Sequence, residues 1–272
     1  MDMTVADGRA LGLAGAPNAR ELGGLAGADG RAVRRGALVR SGALARLTED
    51  DLPVLAELSL TCLVDLRHGT EIAQSPTRRL PKPVPRVLHA PVYDDRHSVF
   101  SYVTALLNGD DLSRYADLAA QGAPGAMAAI YRWFVTGEEA RASFAAACRA
   151  LADPANVPAL FHCSVGKDRT GWLTAILLTA LGVDDEAIRV DYLQTNEATA
   201  EAQQRLLELL AERRPGADPE AIRPLLQAWP AYLDAAYAEV ARQFGSFQAY
   251  LRAGLGLDHQ TLEALRTNLL TP

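Results

Sequence analysis

The chain has 272 residues, 49% hydrophobic and 22% charged, which suits a globule with a sizeable core and excludes a disordered or low-complexity chain. Its net charge of −6 argues against a nucleic-acid binder, whose footprint is basic, while leaving room for a local basic pocket. The cysteines Cys62, Cys148 and Cys163 form no CxxC pair, so they give neither a disulfide framework nor zinc-ligand spacing.

The residues up to Arg20 are rich in Gly, Ala, Asp and Asn and predict a loop-like lead-in packed against the domain. They hold no apolar run long enough for a signal-peptide core, so a cytoplasmic protein is expected, export by another route aside. Residues 31–41 read as strands around a turn. Thr48-Glu49-Asp50-Asp51 opens a helix with a capping-box-like start that continues through Leu52, Leu55, Ala56 and Leu58. Residues 61–66 form a short β-rich run, hence a buried strand, and a proline-rich connector at 81–85 leads to another strand at 86–92. Residues 97–152 are mostly helical, with breaks near Gly109 and at 122–125 and helical spacing over 126–135 and 138–151. Residues 157–162 predict one more buried strand. An apolar helix follows through Leu181, too short to span a bilayer, so stable membrane insertion is not expected. Beyond Asp184 the pattern is helical, with breaks near Pro215-Gly216, Trp229-Pro230, Gly245 and 254–256. Strands alternating with helices before a helical C-terminal third predict one α/β domain over 1–272, with a central, mostly parallel sheet flanked by helices. Ligands of such sheets bind at the carboxyl ends of the strands.

The chemistry sits where the strand at 157–162 runs into His162-Cys163-Ser164-Val165-Gly166-Lys167-Asp168-Arg169-Thr170-Gly171. A loop placed against a helix N-terminus presents unpaired N–H groups and the positive end of the macrodipole to an anion. Gly166 lets the backbone curl so that the N–H groups of Ser164, Val165, Gly166 and Lys167 converge as an anion nest. Cys163 stands at its head, and thiols at helix N-termini near cations ionise more readily. Arg169 can fold back and grip two phosphate oxygens in a fork. A lone Cys-x5-Arg spacing also arises by chance, with the cysteine in the core and the arginine solvated. The preceding His162, the central Gly166-Lys167 and the following Thr170-Gly171 lower that alternative sharply.

This loop resembles the signature of the protein tyrosine phosphatase superfamily, and its full string resembles that superfamily's bacterial tyrosine-protein phosphatase family. Weaker motifs agree in order: Asn18-Ala19-Arg20-Glu21, Leu38-Val39-Arg40-Ser41, Val64-Asp65-Leu66-Arg67 with Glu71, Asp191-Tyr192-Leu193 with Asn196, Tyr232-Leu233, and Phe244-Gly245-Ser246 with Tyr250-Leu251. The resemblance implies a cysteine-phosphatase fold without metal or cofactor. It also implies action on phosphotyrosine, extending to phosphoserine, phosphothreonine or phosphoinositides.

Cys163 is then the nucleophile, and Arg169 the substrate clamp. Thr170 can donate to the sulfur, His162 orients the loop or is structural, and Lys167 either supplies a second cation at the rim or pairs with Asp168. For the general acid, Asp168 in the loop competes with Asp94 after the preceding strand, and with Asp95 beside it. Asp65 and Arg67 read mainly as a structural ion network. A helical pair at 198–213 and 219–228, with Leu206, Leu207, Leu209 and Leu210 on it, is either core or a lid inserted at about 197–229. The expected partner is a phosphorylated protein or phosphoinositide, not nucleic acid, and oligomeric state is not readable. Two other classes stay open: a binding module with little activity, and a redox or arsenate-reducing enzyme, which would need a resolving cysteine near Cys163.

Overall fold

Three short runs buried on both faces form the centre of the sheet: β2 (Leu38–Ser41), β3 (Cys62–Asp65) and β5 (Ala159–His162). Parallel sheets covered on both sides need such runs. β4 (Arg86–His89) closes one edge in parallel and β1 (Arg20–Glu21) the other in antiparallel, in the order β1-β2-β5-β3-β4. The architecture comes from a computed structural model, which describes residues 8–94, 102–103, 105–106, 110, 120, 122–215 and 218–272.

Alternation along the strands divides the core between two faces. Leu38, Cys62, Val64, Ala159 and Phe161 point into the larger core, while Val39, Leu63 and Leu160 point into the smaller one with Leu13, Leu44 and Leu55. On the larger side lie helices α3 (Gly122–Thr136), α4 (Glu138–Leu151), α5 (Asp168–Ala180), α6 (Asp185–Ala198) and α9 (Pro230–Phe244). Trp172 of α5 is fully buried among Tyr237, Phe247 and Tyr250. A ring of that size removes ~200 Å² from water, worth ~5 kcal/mol as an upper bound.

The lead-in is pinned by one carboxylate. Asp51, which opens α1 (Asp51–Glu57), accepts from the backbone N–H groups of Ala14 at 2.7 Å and Gly15 at 2.9 Å. It also exchanges reciprocal bonds with Thr48, the capping box expected from the sequence. α2 (Gly69–Gln74) follows β3 and is capped by His68, with Glu71 bonding back to the His68 N–H.

Several boundaries differ from the expectation. The residues to Arg20 hold part of a strand, β1, because its backbone pairs with β2. β4 stops at His89 instead of 92, and 122–125 is helical, part of α3. The break near Gly109 and most of 95–121 lie outside the described residues. In the C-terminal third, α7 (Ala200–Arg213) forms as expected, but its partner is a 3-10 turn at Pro219–Ile222 and a short helix, α8 (Arg223–Leu226). α10 (His259–Leu269) ends the fold. Among the described residues no helix is long and apolar enough to cross a membrane.

Because β2, β3 and β5 are parallel, their carboxyl ends share an edge: Ser41 and Asp65 both pair with His162. The segments that leave these strands therefore meet around one place.

Candidate active site

At that edge a cavity of about 490 Å³ is lined by Gly42, Ala43, Ala45 and Arg46 after β2, Glu71 on α2, Tyr93 and Asp94 after β4, and Cys163, Ser164, Val165, Lys167, Asp168 and Arg169 after β5. The loop that follows β5 is shaped by what holds its carbonyls. The Asn18 amide donates to the carbonyls of Val165 at 3.0 Å and Gly166 at 3.2 Å, and Arg40 Nη2 donates to that of Gly166 at 2.8 Å. With those carbonyls held from behind, the loop's N–H groups face the opposite way, and that of Gly166 lies 3.3 Å from Cys163 Sγ. Gly166 has φ +78°, and a Cβ there would come within 2.5 Å of the Ser41 carbonyl, so only glycine fits this curl.

Arg169 is fixed over the cavity by Glu71. Its Nη1 and Nη2 donate to the two carboxylate oxygens, both at 2.7 Å, in a bidentate fork. Ser164 Oγ donates to the same carboxylate at 2.5 Å. Burial alone would push the Glu71 carboxyl up, but Arg169, Ser164 and the His68 N–H outweigh it and hold the carboxyl below its ordinary value. Glu71 in turn raises the Arg169 guanidinium despite its burial.

Behind the loop lies a buried charge cluster. Asp191 on α6 accepts from Arg9 Nη1 at 3.0 Å, Arg20 Nε at 3.0 Å and Arg40 Nη1 at 2.5 Å. Burial raises the Asp191 carboxyl, but Arg20 and Arg40 hold it well below the carboxylate range. Burial, with Arg20 beside it, brings Arg40 down to about 10. Arg40 thus couples this cluster directly to the Gly166 carbonyl.

Not every residue singled out from the sequence faces the cavity. His162 is fully buried; its Nδ1 lies 3.0 Å from the Cys163 carbonyl and its Nε2 lies 3.7 Å from Asp65, so it braces the loop instead of touching a ligand. Burial lowers its pKa. Thr170 is also fully buried, and its Oγ1 has no hydrogen-bond partner, so the expected donation to sulfur is absent. Lys167 reaches the cavity wall but is no open rim cation. Only 2% exposed, its Nζ donates to the carbonyls of Leu225 at 2.8 Å and Gln227 at 3.0 Å and lies 3.2 Å from Asp168. The C-terminal carbonyls of α8 take up its donors.

Val165 stands 48% exposed at the mouth. Asp168 and Asp94 both line the cavity, and Asp95 lies outside the described residues. Asp65 and Arg67 form a buried pair, Nε to Oδ1 at 2.9 Å and Nη2 to Oδ2 at 2.7 Å, as expected for a structural network. Among the described residues no cluster of His, Cys, Asp or Glu could hold a metal. Cys62 pairs with Ala159 at the far end of β5 from Cys163, and Cys148 is fully buried on α4 with burial pushing its thiol up to about 12. Neither is placed as a resolving thiol.

Sequence reasoning gave no role to Glu71, Asn18, Arg40 or Asp191. Their one signal was membership in the outer motifs.

A cysteine at the head of a curled anion loop, with an arginine clamped above it at the carboxyl edge of a parallel sheet, defines the class of cysteine-dependent phosphatases. The chain belongs to the tyrosine phosphatase family, whose model matches residues 11–271. A Cupriavidus necator protein bearing the name of a tyrosine-protein phosphatase is 34% identical over 89% of this chain and 82% of its own length. The triple specificity protein phosphatase PtpB of Mycobacterium tuberculosis is 31% identical over 95% of this chain and 98% of its own. The crystal structure of P. aeruginosa TpbA shares 19% identity over 72% of this chain and 89% of its own, with a TM-score of 0.30.

Proposed function

We propose that the protein hydrolyses phosphotyrosine, and more broadly phosphoserine, phosphothreonine and phosphoinositides, through a phospho-cysteine intermediate. The observation that carries this reading is that Cys163, whose Sγ meets the Gly166 N–H, and Arg169, fixed by Glu71, line one cavity. In the first step Sγ attacks phosphorus in line, an S–P bond forms, and the P–O bond to the leaving group breaks. Asp168 gives that oxygen its proton. In the second step water attacks phosphorus, returns a proton to Asp168 and frees the thiolate. Arg169 and the loop N–H groups hold the equatorial oxygens, whose charge they match best in the transition state.

The breadth of substrate is supported by the size of the cavity, about 490 Å³, with apolar walls from Ile130, Phe134, Leu206 and Leu225 beyond the loop. The M. tuberculosis relative carries triple specificity in its name. The chain acts as one domain, and α7, the turn at Pro219–Ile222 and α8 serve as a lid. Thr199, Ala202, Leu206, Leu225 and Leu226 support this, since all line the cavity. The Asn196 side chain, bonded to both backbone groups of Ala228, supports a fixed base for it.

Cys163→Ser tests the mechanism. Turnover of phosphotyrosine, phosphoserine, phosphothreonine and phosphoinositide substrates should vanish together while tungstate binding persists. A variant that keeps more than about a hundredth of the wild-type rate would refute the covalent route.

A further inference from the structure

Tyr131 on α3 and Tyr192 on α6 stand behind the cavity wall and line none of it. Both are buried, at 0% and 1% exposure, and a buried phenol needs a partner for its hydroxyl. The Tyr131 hydroxyl donates to Asp168 Oδ1 at 3.0 Å and lies 2.7 Å from the Tyr192 hydroxyl. A phenol has one proton. That of Tyr131 is directed at the carboxylate, so the proton between the two phenols comes from Tyr192. The chain runs from Tyr192 to Tyr131 to Asp168. Burial first, then the Asp168 charge, push both phenols well above their ordinary values, so they stay protonated donors.

Two further observations fit this chain. Lys167 Nζ also meets Oδ1, at 3.2 Å. Among the described residues the side-chain hydrogen bond that the carboxylate accepts falls on Oδ1, which leaves Oδ2 without one and able to meet a ligand. In addition, a Cβ on Gly171 would come 3.0 Å from the Tyr192 ring. The glycine after Arg169-Thr170 therefore lets Tyr192 lie against the first turn of α5.

We propose that Tyr131, backed by Tyr192, is a positioning residue that holds Asp168 Oδ1 and so presents Oδ2 to the leaving-group oxygen. The torsion that turns a carboxyl group is broad and two-fold, so an unanchored Asp168 would spread over orientations. Fixing one oxygen removes that spread before the proton moves. The tyrosines keep their own protons throughout; the proton that moves is the one on Asp168 Oδ2. This inference rests on Asp168 as the proton donor.

The experiment compares Tyr131→Phe, Asp168→Asn, Asp94→Asn and the Tyr131→Phe/Asp168→Asn double variant on an alkyl phosphate and on 2,4-dinitrophenyl phosphate. The latter's leaving group needs no proton. Tyr131→Phe should slow the alkyl phosphate on the order of tenfold and the activated ester by less than about twofold. In the Asp168→Asn background it should add nothing, as expected for groups acting as one unit. Equal loss on both substrates, or full additivity, would mark a merely structural tyrosine and overturn the inference while the reading of Asp168 stands. If Asp94→Asn shows the leaving-group dependence and Asp168→Asn does not, both fall together. Should Tyr131→Phe fail to fold, Tyr192→Phe decides: a smaller loss confined to the alkyl phosphate supports the positioning role, and an unchanged or uniform rate refutes it.

Discussion

Replacing Glu71 with glutamine keeps its size and removes its charge, which isolates what the carboxylate does for Arg169. In the native site the two fork bonds are 2.7 Å each, and Ser164 and the His68 N–H occupy further positions on the same carboxylate. An amide has one acceptor oxygen, so one fork bond is lost and an NH₂ group faces a guanidinium that can only donate. A charge-assisted bond in a protected site contributes ~1.5–3 kcal/mol. Glu71 is 2% exposed but Arg169 is 14% exposed, so some screening applies and ~2 kcal/mol is a fair figure for the loss of positioning. That corresponds to ~30-fold in rate, and a displaced clamp could extend it to ~100-fold. Steady-state kinetics should therefore show kcat/KM down by that factor, with vanadate inhibition weakened in parallel, since Arg169 holds the oxyanion itself. The loss should be the same for good and poor leaving groups, because the guanidinium acts on the phosphoryl oxygens. A variant within about threefold of wild type in both measures would refute the role. A loss confined to poor leaving groups would make Glu71 a proton donor instead.

Stability should fall in acid, in two stages. Asp65, Glu71 and Asp191 all have folded-state pKa values below their ordinary ones, so their contribution is complete above the unfolded values of ~3.9 to ~4.3 and is lost as pH falls toward the folded ones. His162 is also depressed, by burial, so its protonation in the unfolded chain begins to oppose folding below ~6.5. Urea midpoints should decline gently from about pH 6.5 and steeply below about pH 4.5, and a flat profile would contradict the assignment. Lys167→Met should release α8, because it removes the donors to the Leu225 and Gln227 carbonyls. Amide exchange across 218–229 should quicken and iodoacetamide should reach Cys163 faster; unchanged exchange there would mean that Lys167 does not hold α8.

What the sequence revealed and what it hid differ in how far apart the interacting groups lie along the chain. The loop from Cys163 to Arg169 is continuous, and every requirement of an anion cradle stands within it in order. The groups that hold it do not: Glu71 meets Arg169 across 98 positions, Asn18 meets Val165 across 147 and Arg40 meets Asp191 across 151. One sequence cannot show which carboxylate finds which cation. It can show that a charge is trapped, however. Arg40 sits inside a short strand buried on both faces, and a charge in such a place requires a partner. The same holds for Asp65 at the end of β3. The position of His162 was legible by a simpler rule. Side chains alternate along a strand, and Phe161 and Cys163 both belong to the larger core, so His162 between them must face the other way, the side of Leu160 and Asp65. Lys167 had no comparable warning, since α8 is too short to show a periodicity and its carbonyls, not its side chains, receive the ammonium group. Loop chemistry can therefore be read locally, and trapped charges can be flagged, but the pairing that turns a cradle into a site is a property of the sheet edge where the segments meet.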